Sequence, residues 1–266
     1  MRAEGAAPKT TIGFVPTMGA LHDGHIALVH EAKRRCDKVV VSIFVNPLQF
    51  APTEDLDRYP RTETADIARL AEAGCDLVYL PTPDVLYPEN FVSRIEMGGP
   101  ALGLETDFRP QFFSGVATVV MKLFNQVLPD VAVFGEKDYQ QLAVIRAMVR
   151  DFDLGLEIVG YPTVREDDGL ALSSRNAYLS PENRSFAPRL HQALQAVRQV
   201  ALDGGDTGLA LGEATQALIT AGFDRVDYIA LRDADTLGEI GPGTKARRIL
   251  AAAWLGKTRL IDNIAV

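Results

Sequence analysis

Cysteine is nearly absent from this sequence. Cys36 and Cys75 are the only two in 266 residues, and they stand far apart with no CxxC pair. Neither a zinc cage nor a disulfide framework is indicated, and a reduced, cytoplasmic setting is the simplest fit. Histidine is scarce as well, with four residues. Positive charge is in deficit: 27 Lys and Arg against 35 Asp and Glu leave a formal net charge of −8. That argues against a broad nucleic-acid footprint and against a polybasic membrane surface. A small anion pocket stays open, because a local patch can be positive on an acidic chain. No apolar run is long enough to span a bilayer, and the opening MRAEGAAPKT lacks the apolar centre of a signal peptide. Internal repeats and low-complexity tracts are missing too. What is present is a hydrophobic fraction of 47%, enough to build a sizeable core.

Short apolar runs alternate with helical patterns. TIGFV, KVVVSIFVN, DLVYL, VAVFG and LEIVGYPTV read as buried strands. Between them lie IALVHEAKRRC, with a basic last turn; ADIARLAEAG, with Gly74 as its C-cap; the nearly all-apolar GVATVVMKLFNQVL; and the amphipathic QQLAVIRAMVRDF. Strand–helix alternation of this kind predicts an α/β fold with a doubly wound parallel sheet. The grammar changes after YLSPENR. Two helices are expected near 181–203 and 207–221, then strands at VDYIALRD, RRILAAAWLG and TRLIDNIAV. We expect a catalytic domain over residues 1–175 and a smaller C-terminal α+β domain over 176–266, with a turn at the GPG of residues 241–243.

Two of the four histidines fall in PTMGALHDGH, which is strand, glycine turn, helix. Ligands of open α/β sheets collect beyond the carboxyl ends of the strands. A helix N-terminus there offers unpaired N–H groups and a positive dipole end to phosphate. Gly19 and Gly24 would let the backbone approach a ligand. His22 and His25, three apart, share one side of the first helical turn, and imidazole donates to phosphate oxygens, best when protonated. Zinc would need a third ligand, and no motif places His30 or His191, which read as surface or packing residues. The combination fits a nucleotide triphosphate.

The HxGH turn resembles the HIGH signature of class I nucleotidyltransferases and class I aminoacyl-tRNA synthetases. The longer strings FVPTMGALHDGH, SIFVNPLQF, FGEKDYQQLAVIR and REDDGLALSSRNAYLS are similar, in order, to the pantothenate synthetase (pantoate–β-alanine ligase) family. The resemblance implies a Rossmann-like nucleotide-binding domain with a C-terminal lid domain, and condensation of (R)-pantoate with β-alanine through a pantoyl adenylate, with ATP as substrate and Mg2+ as its ion. It also implies a homodimer. Residue by residue, Met18, Gly19, Ala20, Leu21, His22, Asp23, Gly24 and His25 correspond to the ATP-contacting turn, with His25 as the catalytic histidine and His22 as a phosphate partner. Gly135, Glu136, Lys137 and Asp138 correspond to a second ATP-binding run. Val164 is implied as a nucleotide contact, and Leu172, Ser173, Ser174 and Arg175 as the counterpart of a mobile KMSKS loop. Gln49 and Gln141 are implied as pantoate-binding amides, with Asn46 beside Gln49.

Charge neutralisation of a triphosphate would draw on His22, His25, Lys137 and Arg175. The flexible EDDG before the serine–arginine loop suits a lid. Asp138 is either a ribose contact or a helix N-cap. Protein ligands for magnesium are unknown; Asp66 is weighed and read as part of a solvated helix face. Phe50, Val116 and Met18 are expected as apolar walls for pantoate. Two departures stand out: Phe112 in FRPQFFSGV replaces a histidine usual in the family, and the chain reaches its first strand sooner than members with an extra N-terminal helix. A nucleotidyltransferase that leaves AMP or CMP on its product is the alternative enzyme. An ATP-binding regulatory module is the non-enzymatic one, though it would not need His25, Lys137 and Arg175 together.

Overall fold

A computed structural model describes residues 10–51 and 56–266. The opening segment, read above as free of a leader and short before the first strand, lies at residues 1–9, outside the described residues. Five parallel strands form the first sheet: β1 (Ile12–Thr17), β2 (Lys38–Ile43), β3 (Leu77–Tyr79), β4 (Val131–Gly135) and β5 (Glu157–Tyr161), in the order β3-β2-β1-β4-β5. Their side chains alternate between faces. Phe14, Ala132 and Phe134 pack with α5 (Phe112–Val127) and α6 (Tyr139–Asp151). Val15, Val39, Val41 and Val133 pack with α1 (Asp23–Arg35) and α2 (Glu63–Glu72) on the other side. Both faces are therefore buried, as an all-parallel sheet requires. The short α3 (Pro83–Leu86) and α4 (Glu105–Phe108) lie between β3 and α5.

The strand order reverses between β1 and β4. That is where a doubly wound sheet opens a crevice beyond its carboxyl ends. The segments leaving β1 and β4 are the HxGH turn and the Gly135–Asp138 run, so the topology alone brings two of the expected nucleotide elements to the same place.

The C-terminal part has its own core. α7 (Pro181–Phe186), α8 (Arg189–Leu202) and α9 (Thr207–Thr220) lie with an antiparallel sheet of β6 (Arg225–Asp233), β7 (Arg247–Leu255) and β8 (Thr258–Ala265). Leu190, Leu194, Leu218 and Ile249 are each buried in it. Leu170 joins this core from the segment that leads into the serine–arginine loop.

Most elements match the reading of the sequence. Gly74 ends α2 with φ +73°, while Cys75 N donates to Leu70 O and Gly74 N to Ala71 O. This is the paired cap that a glycine in the left-handed region allows. The GPG segment is a turn, closed by Thr244 N on Gly241 O at 3.0 Å. The single helix expected over 181–203 is instead two, α7 and α8. Pro188 has no N–H to continue the ladder, and its ring clashes with the carbonyl four residues back. The apolar positions Phe186, Leu190 and Leu194 run on with helical spacing across the break and conceal it.

One glycine fixes how the parallel domain closes around its crevice. Gly115, in the first turn of α5, lies against the 3₁₀ turn Pro47–Gln49. A Cβ there would stand 2.3 Å from Leu48 O and 2.8 Å from Gln49 N, both backbone atoms. Gly115→Ala must therefore push the turn away from the helix, and the overpacking should cost about 1–3 kcal/mol. Urea unfolding checks this; an unchanged midpoint would contradict the close approach.

Candidate active site

A cavity of about 1120 Å³ opens at the switch point and is lined from both sheets. Its wall includes Met18, His22, Gly24 and His25 after β1, Gly135, Lys137 and Asp138 after β4, Val164, and Leu172 through Arg175. Asn46, Gln49 and Gln141 line it as well. Of the expected site residues, Gly19, Ala20, Leu21, Asp23 and Glu136 do not line it among the described residues. They build the frame behind it.

That frame is specific. Gly19 and Ala20 have φ of +81° and +50°, so the chain turns through the left-handed region twice in succession. Asp66 holds the turn: one carboxylate oxygen accepts from Ala20 N at 2.9 Å and the other from Leu21 N at 2.8 Å. Thr62 Oγ1 donates to the same carboxylate at 3.1 Å. Asp66 is only 2% exposed. The solvated helix face expected for it is thus overturned; the carboxylate is a buried acceptor for backbone N–H groups. Arg69, one turn further along α2, donates to Leu21 O at 2.8 Å and pairs with Asp23.

The two histidines meet at the N-terminus of α1, their ring centroids 4.1 Å apart. Gly24 lines the cavity and is small for a further reason. A Cβ there would come within 2.9 Å of the His22 ring, so the glycine also makes room for that imidazole. His22 N donates to His25 Nδ1 at 3.3 Å. With Nδ1 accepting, the neutral His25 carries its proton on Nε2, the atom left to donate to a ligand. Burial lowers the pKa of both rings, aided for His25 by its neighbour His22 and for both by the Lys137 and Arg69 charges. His22 falls from 6.5 to about 4 and His25 from 6.5 to about 3. Neutral imidazoles therefore face the cavity at neutral pH, short of the protonated form that donates best.

Lys137 is 19% exposed along its side chain and lies 3.8 Å from Asp138 Oδ2. Asp138 occupies the N-cap position of α6 but its side chain makes no capping bond, which removes the simple capping role. Ser173 Oγ accepts from Arg175 N at 3.3 Å and starts a 3₁₀ turn. The preceding EDDG is not a loose stem. Gly169 N closes on Glu166 O at 2.9 Å, and Arg184 pairs with Glu166 and Asp168 at 2.6 Å each.

Asn46 is almost fully buried and its amide is committed. Tyr87 donates to its Oδ1 at 2.7 Å, and its Nδ2 donates to Gln49 Oε1 and to Gly115 O, both at 3.1 Å. Asn46 thereby orients Gln49. Gln49 Nε2 in turn rests on Met18 Sδ at 2.9 Å. A thioether is a weak acceptor, so a hydroxyl can displace it. Val116 lines the cavity with Met18, but Phe50 does not: its ring packs edge-on to Tyr59 at 5.9 Å. Phe112, at the position of the family's usual histidine, carries the Arg109 guanidinium 3.8 Å above its ring. His30 is exposed, as the surface reading had it, while His191 lies 3.3 Å from Asp262 and also lines the cavity.

Two residues escaped the sequence reading. Arg109 lines the cavity and donates to Gln49 O at 3.1 Å. Tyr59 lines it too, and its hydroxyl meets Ser174 Oγ at 3.2 Å. An arginine three residues before Phe112 was the one visible signal for the first; the second had none, since its partner lies 115 positions away.

The histidine values carry a stability consequence. Each folded pKa lies below the unfolded 6.5, so the unfolded chain binds the extra protons as pH falls through 6.5. Stability present above pH 6.5 is lost toward pH 4. The ligand-free melting temperature should fall less steeply from pH 6.5 to 5 in a His22→Asn/His25→Asn double variant than in the wild type. Equal slopes would contradict neutral imidazoles.

The pantoate-beta-alanine ligase family model matches residues 1–265. A pantothenate synthetase of Bradyrhizobium sp. is 58% identical over 98% of this chain and 92% of its own length. The crystal structure of pantothenate synthetase from Thermus thermophilus superposes with a TM-score of 0.89 at 50% identity, covering 97% of this chain and 94% of that one. The pantoate-beta-alanine ligase of Francisella tularensis, complexed with beta-gamma ATP and beta-alanine, superposes at 0.83 with 37% identity, covering 98% and 92%. With the match running from end to end of the fold that carries the HxGH turn, the chain belongs to the pantoate-beta-alanine ligase family.

Proposed function

We propose that this chain joins pantoate to β-alanine at the expense of ATP, releasing AMP and pyrophosphate. The observation that carries the reading is the convergence of His22, His25, Lys137 and Ser173–Arg175 with Gln49 and Gln141 on the wall of one cavity. A cationic and N–H-rich wall suits a triphosphate; a wall of amides and apolar groups suits a small hydroxy acid. The Francisella tularensis relative, complexed with beta-gamma ATP and beta-alanine, supports both substrates.

The reaction divides into two steps. A pantoate carboxylate oxygen attacks the α-phosphorus, the bond to the pyrophosphate oxygen breaks, and pantoyl adenylate forms. The β-alanine amine then attacks the acyl carbon, loses a proton, and expels AMP. His25 donates from Nε2 to phosphate oxygens as they gain charge, with His22, Lys137 and Arg175 beside it. Gln49 and Gln141 read the hydroxyls and leave the carboxylate free to attack. A bidentate arginine on that carboxylate would hold it in the ground state and damp its nucleophilicity. Magnesium, if carried in with ATP, would supply charge neutralisation to the triphosphate beside Lys137 and Arg175. Among the described residues no group of three His, Cys, Asp or Glu side chains gathers to hold it. A homodimer, a cytoplasmic setting, the domain division near residue 175 and a lid role for the C-terminal body belong to the same proposal. No helix among the described residues is long and apolar enough to cross a membrane.

The adenylate route predicts pantoate-dependent exchange of pyrophosphate into ATP without β-alanine. With heavy oxygen in the pantoate carboxylate, label should appear in AMP; ADP and labelled inorganic phosphate would refute the route. His25→Ala should slow adenylate formation by about 10²–10³ with ATP affinity largely kept. Single-turnover kinetics separate the two, and an unchanged rate with weaker ATP binding would make His25 an anchor only.

Gln49→Ala leaves a desolvated hydroxyl unpartnered and should weaken pantoate binding by roughly 1–3 kcal/mol while sparing ATP. Gln49→Glu should bind pantoate worse still, because two carboxylates would then share the pocket. Calorimetric titration checks both; equal losses for ATP and pantoate would refute this role.

A further inference from the structure

Lys137 stands on a run that the parallel sheet does not hold alone. The 3₁₀ turn Glu136–Asp138 leaves β4 and enters α6. Its carbonyl groups need donors, and those come from the C-terminal sheet. Asn263, on β8, donates from Nδ2 to Glu136 O at 2.8 Å and to Lys137 O at 2.9 Å. The side chain is 4% exposed. Its Oδ1 is buried and has no hydrogen-bond partner among the described residues. The amide is therefore present for its two donors, and the two acceptors fix which end is nitrogen.

We propose that Asn263 is a positioning residue for Lys137. Fixing the carbonyls on either side of the Lys137 Cα fixes both flanking peptide planes, and with them the direction in which the lysine stem leaves the chain. No other side-chain type of this size does the same: aspartate offers no donor and brings a charge against two carbonyls, and a hydroxyl offers one donor only.

The Asn263 backbone is itself held. Asn263 N donates to Asp262 Oδ1 at 2.7 Å, and Arg165 grips the Asp262 carboxylate with bonds of 2.7 and 2.8 Å. Arg248, on β7, adds a second tether to the same run. Its guanidinium pairs with Glu136 at 2.9 Å and lies 3.6 Å from the centre of the Tyr139 ring. The C-terminal sheet is on this account part of the phosphate-facing machinery.

This inference rests on the reading that Lys137 acts on the triphosphate. The test is a double-substitution cycle on pantoate-dependent ATP–pyrophosphate exchange, with Asn263→Asp and Asn263→Ala each placed in wild-type and Lys137→Ala backgrounds. In the wild-type background, Asn263→Asp should lower the maximal exchange rate by about 10²-fold, the scale of a small misplacement of a reacting group. The KM for pantoate should stay near the wild-type value. In the Lys137→Ala background the same substitution should cost less than about twofold, since the group it positions is gone. Equal losses in both backgrounds, or wild-type exchange in both Asn263 variants, would overturn the assignment. So would unfolding of both variants in a ligand-free melt, which would make Asn263 a stability residue. A wild-type chain with no exchange at all would instead overturn the functional reading beneath it.

Discussion

A single buried carboxylate governs the geometry of the site. Asp66 accepts both backbone N–H groups at the bend between β1 and α1, where Gly19 and Ala20 adopt left-handed conformations. A non-glycine residue there is strained unless its surroundings hold it. Charge-assisted bonds to backbone N–H groups contribute on the order of 1.5–3 kcal/mol each. Everything the turn presents follows from that hold: the start of α1, the close pair of His22 and His25, and the place of both on the cavity wall. Arg69 braces the same turn from the same helix, so α2 supplies both an acceptor and a donor to a segment more than 40 residues earlier.

The second half of the site depends on the contact between the two bodies. Glu105 on α4 accepts from Arg259 on β8 through both oxygens, at 2.7 and 2.8 Å, and from Tyr228 on β6 at 2.9 Å. The carboxylate is buried, and removing one partner of such a pair leaves an uncompensated charge. One turn after Glu105, Arg109 reaches the backbone of Gln49. Together with Asn263 and Arg248 on the Glu136–Tyr139 run, these bonds tie the antiparallel sheet to both walls of the cavity. The segments that carry Gln49 and Lys137 thus share one support.

How much of this was legible in the residues divides along physical lines. Periodic features were readable: the alternation of strands and helices, the faces of the parallel sheet, the Gly74 cap, and a histidine turn between a strand and a helix. Contacts between distant side chains and backbone leave no such trace. Asp66 reads as one more polar residue on an amphipathic helix, because its acceptor role is written 45 positions away at Leu21. Phe50 reads as a pocket wall because it neighbours Gln49, yet the turn at Pro47–Gln49 sends its ring toward Tyr59. The EDDG run looks loose by composition, but backbone bonds between Glu166 and Gly169–Leu170 close it and Arg184 on α7 pairs with its carboxylates. Pro188 was visible, but the apolar spacing on either side of it argued for continuity.

The claim that Asp66 organises the turn is tested most directly by the rate of pantoate-dependent ATP–pyrophosphate exchange in Asp66→Asn. The amide keeps the shape, but it can turn an oxygen to only one of the two N–H groups and faces the other with a donor. With the protein folded and ATP saturating, the account predicts a maximal rate lower by about 10²-fold, the scale of a small misplacement of reacting groups. Exchange at the wild-type rate would contradict it.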